Sequence, residues 1–113
     1  MDEILNIFFR LILDKNEKTD GVNVMSLVKR MILDVLKPHQ PSAIEFAQAI
    51  AEVGPDYRVR LSVIEMDENT ETLQIEIEGN AIDFESIQSI ISSMGGSLHS
   101  IDEVEVHSET DAG

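Results

Sequence analysis

Cysteine and tryptophan are absent from the 113-residue chain, aromatic residues make up 4% of it, and eight lysines and arginines face 22 aspartates and glutamates. Without cysteine there is no disulfide, no thiolate metal site, no CxxC redox pair and no cysteine nucleophile, a composition that suits a reducing cytoplasm. A formal net charge of −14 repels a phosphate backbone and leaves few cations to exchange for its counterions. Nucleic acid and anionic membranes are therefore poor partners. No apolar run spans a bilayer: residues 2–13 (DEILNIFFRLIL) hold roughly half of the ~20 apolar residues needed, and Arg10 interrupts them. The same segment opens on two acids rather than a basic region, which argues against a secretory signal. No Walker, GxGxxG or Ser-His-Asp pattern is present.

What is present reads as one domain, since 113 residues with a 42% hydrophobic share suffice for a single core. Residues 1–24 stand apart as an apolar leader and linker, helical or disordered, the polar linker being DKNEKTDGVN at 14–23. From 27 to 36 the alternation of Met31, Leu33 and Val35 with Arg30, Ile32, Asp34 and Leu36 predicts a central strand, ended by Pro38. Ser42 and Glu45 form a capping box for a helix carrying Ala43, Phe46, Ala47, Ile50 and Val53, closed by Gly54-Pro55. A hairpin follows, with Val59, Leu61 and Val63 on one face of its first arm and Leu73, Ile75 and Ile77 on one face of its second. A three-residue turn at 68–70 keeps like faces opposed and sets Arg60 against Glu78, Ser62 against Glu76 and Ile64 against Gln74. Asp83 caps a second helix with the stripe Phe84, Ile87, Ile90, Ile91 and Met94, which leaves through Gly95-Gly96. A last strand covers 97–106, its broken parity predicting a bulge near 100–102. Residues 108–113 read as a disordered polar tail.

The order strand, helix, strand, strand, helix, strand predicts an α+β, ferredoxin-like βαββαβ domain over 25–107. Its four-stranded antiparallel sheet has strands one and three at the centre and two helices on one face. Four runs also resemble a known family: LDVLKPH (33–39), VIEMDENTETLQIEIEGN (63–80), IDFESI (82–87) and GGSLHSIDEV (95–104). They are similar to a small archaeal family catalogued as domain of unknown function 211, over about residues 26–106. The resemblance implies the same fold, an archaeal cytoplasmic source and homo-oligomers, and implies no activity.

Three places invite a function. The sheet face without helices carries Ile32, Asp34, Leu36, Ile64 and Ile101 among charges, too apolar to stay wet, and predicts self-association. The competing account covers it with the leader helix. At one sheet end, His39, Asn80 and His99 are expected to meet beside the helix starts at Ser42 and Asp83, a ligand site for an anion, a proton or a metal. Two histidines without a third ligand are weak evidence for zinc, and hydrogen bonding to loop carbonyls explains them as well. Finally, the acidic hairpin tip with Asp67, Glu68 and Glu71 offers oxygen donors of the kind a divalent cation such as Ca²⁺ takes, without EF-hand spacing. A solvated turn explains it equally. No cofactor is identified.

Two related functions are excluded by particular residues. An RNA-binding sheet of this topology needs aromatics where this chain has Ile32, Asp34, Glu76 and Glu78. An acylphosphatase-like enzyme wants arginine near the first turn, which here reads KPHQP at 37–41. The leading expectation is a non-catalytic homo-oligomeric module with a small ligand between subunits. Its rival is a metal-binding protein or enzyme using the His39/His99 edge or the acidic hairpin.

Overall fold

The computed structural model describes residues 23–111, in the order β1 (Asn23–Pro38), α1 (Ala43–Ala51), β2 (Arg58–Met66), β3 (Thr70–Glu78), α2 (Phe84–Ser93) and β4 (Ser97–Asp111). The sheet order is β2-β3-β1-β4, with β1 and β3 central as the sequence predicts. Contacts gather Leu27–His107 into one compact unit, while the strand ends at 23–26 and 108–111 belong to another. The expected leader at 1–24 lies outside the described residues, apart from the strand residues Asn23 and Val24.

Alternation decides the core. Met31, Leu33 and Val35 of β1 oppose Ile77, Ile75 and Leu73 of β3, and all six are buried. Phe46 and Ile50 of α1 and Ile87 and Ile91 of α2 join the same cluster, so both helices cover one face. Each such side chain contributes about 1.5–3 kcal/mol by leaving water. The predicted caps are in place. Ser42 Oγ accepts from Glu45 N at 3.2 Å while Glu45 Oε1 accepts from Ser42 N at 3.1 Å. Asp83 accepts from Ser86 N and Ser86 Oγ at 3.2 and 2.7 Å. Gly95, at φ +87°, turns the chain out of α2, a conformation that costs a glycine nothing.

Two features depart from expectation. In the hairpin, Arg60 opposes Glu76 and Ser62 opposes Gln74, two residues from the register expected for a bulge-free pair. Pairing passes from Val63↔Leu73 to Glu65↔Thr72, so Ile64 and Glu65 share one partner. The tip register Met66↔Glu71, continued without that extra residue, would set Ser62 against Ile75 and bury the wrong face; the bulge restores the parity. The connecting turn is accordingly 67–69.

β4 also runs on to Asp111, past the expected end at Val106 and through part of the expected tail. Polar residues do not stop a strand, and neither proline nor glycine interrupts the backbone there. Its direction follows from two contacts. Gly95 lies against Pro38 at the end of β1, and Glu103 reaches Arg30 at its middle, so β4 runs antiparallel to β1. Leu98 packs on the core and Glu103, five residues on, reaches a cation of the opposite face. That odd spacing is what uninterrupted alternation produces, and no bulge near 100–102 is needed for it.

Candidate functional site

The alternation that buries β1 does not stop at Val35. One step further it puts Lys37 on the core face, and on β3 the same step back from Leu73 puts Glu71 there. The two are direct cross-strand partners, both buried, and Lys37 is 0% exposed. Lys37 Nζ lies 3.0 Å from Glu71 Oε1 and donates to the carbonyls of Pro38 at 2.8 Å and His39 at 3.4 Å. An ammonium out of water needs such partners, because desolvation otherwise outweighs its attractions. The sequence reading missed this pair, although the parity of β1 extended by one residue points to it.

The other oxygen of Glu71 holds His39, whose Nδ1 sits 3.0 Å from Oε2. His39 Nε2 faces the carbonyls of Asp67 and Glu68, both at 3.1 Å. Acceptors thus meet both ring nitrogens, and only the doubly protonated ring donates to both. The Glu71 bond, followed by the Glu68 carbonyl, holds the imidazole above its usual range. In return His39, then Lys37, holds the Glu71 carboxyl below its own. Asp67 closes the tip by accepting from Thr70 N at 2.9 Å, Asn69 N at 3.1 Å and Thr70 Oγ1 at 3.0 Å. The Thr70 and Asn69 amides keep its carboxyl ionised below the usual range. Lys37, Glu71, His39 and the tip carbonyls form a polar clamp joining the end of β1 to the β2–β3 turn.

This geometry redistributes the expected ligand site. His39 and Asn80 do not meet. Lys37↔Glu71 and Arg30↔Glu78 stand seven residues apart on one ladder, about 23 Å at ~3.3 Å per residue. Asn80 is beyond the second of these pairs, where Lys29 Nζ donates to its backbone O at 2.8 Å and Oδ1 at 3.1 Å. Antiparallel pairing is the reason: β3 starts beside the end of β1 and finishes opposite Arg30 at its middle. For the same reason the helix starts at Ser42 and Asp83 occupy opposite ends. His99, exposed on β4, lies on the other flank of β1 from Glu71 and the hairpin. With both its nitrogens turned to acceptors, His39 has no lone pair directed at a metal. Among the described residues no group of three or more His, Asp or Glu is placed to hold one.

The helix-free face is a lattice of charge and apolar side chains. Arg30 at its centre reaches Glu76 at 2.8 Å, Glu78 at 3.4 Å and, in a short ion pair, Glu103. Arg58 pairs with Glu78 from β2. Between these, Ile32, Asp34 and Leu36 of β1 are half-buried, and Ile64 and Ile101 on the edge strands are exposed.

No helix among the described residues is long and apolar enough to cross a membrane. The family described as "Uncharacterized ArCR", domain of unknown function 211, matches residues 29–109. The chain is also 44% identical over 80 residues to an uncharacterised protein of the archaeon Methanocaldococcus jannaschii, a stretch covering 71% of this chain and 82% of that one. The matched span takes in β1 from Lys29, both helices, the hairpin with its clamp, and β4 as far as Glu109. This chain belongs to that uncharacterised archaeal family.

Proposed function

We propose that the protein is a cytoplasmic, non-catalytic module that works as a homo-oligomer, assembling through its sheet. One observation carries the reading. Val63, Ile64 and Met66 on β2 and Ile101, Val104 and Val106 on β4 are each 43–61% exposed. A chain of net charge −14 keeps six large apolar side chains in water along its two outer strands, a pattern that marks a protein contact. On this reading Ile32, Asp34 and Leu36 back the contact from the central strand, and a small ligand binds where subunits meet. The nitrogens of His39 are engaged by Glu71 and the tip carbonyls, which favours a structural role for the clamp over a catalytic or metal-binding one.

The test is Ile64→Asp, at a residue 60% exposed and therefore tolerant in the folded subunit. The expected result is a fall in solution mass by light scattering with an unchanged circular dichroism spectrum. An unchanged mass contradicts the reading.

A further inference from the structure

A contact made by the open face alone covers side chains of one parity, whereas a contact along a strand edge covers both. The exposed apolar residues are of both parities. On β2, Val63 and Met66 oppose Leu73 and Glu71 on the helix side, and Ile64 shares Thr72 with Glu65 on the open side. On β4, Ile101 has the open-face parity of Glu103, and Val104 and Val106 have the other. Neither edge strand contains proline or lysine, the usual guards of an exposed edge, and β4 is 15 residues long.

Charge separates the two edges. β2 carries Arg58 and Arg60 at its start, and β4 carries Asp102, Glu103 and Glu105 at its middle. Two β4 edges repel each other. Two β2 edges, paired antiparallel about Ser62, set Arg60 against Ile64, and beyond the bulge set Arg58 against Met66 of the other face. A β2 edge against a β4 edge matches on both counts. β2 runs with β1 and β4 against it, so a second copy placed alongside in the same orientation offers its β4 antiparallel to β2. With Val63 opposite Val104, like faces coincide, Leu61 faces Val106, and Arg60 lies diagonal to Glu105.

Resting on the self-association proposed above, we infer that subunits join head to tail, β2 of one copy pairing with β4 of the next. Such a contact is heterologous, so it closes into a ring of at least three chains or grows as a filament, and does not stop at a dimer.

The absence of cysteine permits a direct test. β2 and β4 are separated by three strand spacings, about 14 Å at ~4.8 Å each, far beyond the ~7 Å limit for a disulfide within one chain. Mild oxidation of the full chain carrying Val63→Cys and Val104→Cys is expected to yield a covalent ladder that collapses to single chains under reductant. An equal mixture of the two single variants is expected to yield a crosslinked dimer, and each single variant alone none. A second arm reads charge: Arg60→Glu and Glu105→Arg each lower the solution mass, and the double exchange restores it. Ile44→Asp, at an exposed position of α1, leaves the mass unchanged.

Crosslinking of Val63→Cys with itself, or dissociation by Ile32→Asp with no Val63–Val104 crosslink, overturns the head-to-tail pairing while keeping self-association. A single-chain mass for the wild type at every concentration overturns both, and would fit cover of the edges by another segment of the chain.

Discussion

Replacing Glu71 by glutamine preserves the side-chain volume and removes the carboxylate that faces Lys37 Nζ at 3.0 Å. The ammonium, 0% exposed, is left with the neutral carbonyls of Pro38 and His39. Breaking a buried pair from one side in this way costs about 3–5 kcal/mol. That is a large part of the ~5–15 kcal/mol that holds a domain folded. The assay is urea unfolding of wild type and variant at one protein concentration, because assembly makes the midpoint concentration-dependent. A double replacement, Lys37→Met with Glu71→Leu, removes both charges. It is expected to fall within about 1 kcal/mol of wild type, since apolar substitutes for a buried pair are often neutral or stabilising. A loss below about 1 kcal/mol for Glu71→Gln, the level of a solvent-exposed pair, would refute the picture of a charged, desolvated lysine.

The clamp also has a pH signature. His39, raised above 6.5 by Glu71 and the Glu68 carbonyl, contributes stability that is complete below that value and is lost as pH rises through the folded pKa. Glu71, lowered from 4.5 by His39 and Lys37, contributes above 4.5 and loses its contribution as pH falls through its folded pKa. The difference in urea midpoint between wild type and His39→Asn should therefore be largest between 4.5 and 6.5 and shrink toward alkaline pH; a constant or growing difference contradicts the assignment. Ser42→Ala removes the hydroxyl that accepts from Glu45 N and should cost about 1 kcal/mol by thermal or urea melting. No measurable loss would mean that packing alone sets the start of α1.

Much of the fold was legible because its signals are local. The Ser42–Glu45 box, the Asp83 cap, the stripe at Ile87 and Ile91 and the strict alternation of β1 and β3 each name their element without tertiary information. The hairpin register was not legible, because parity admits a bulge at Ile64 as readily as a turn shifted by one residue, and the tip hydrogen bonds of Asp67 decide between them. The expected approach of His39 to Asn80 was misplaced by topology: it set the ends of β1 and β3 together, and antiparallel pairing sends Asn80 to the far end of the ladder. The clamp was hidden for a different reason. Lysine and glutamate at the close of apolar rows look like exposed strand ends, and only the facing of Lys37 and Glu71 across two strands makes each acceptable to the other in the core.

Sedimentation of the unmodified protein across a dilution series bears most directly on whether the sheet edges are meant to be covered. The expected species contains at least three chains and persists on dilution. A particle with the mass of one chain at every concentration would mean that the exposed apolar residues of β2 and β4 do not join copies of this protein.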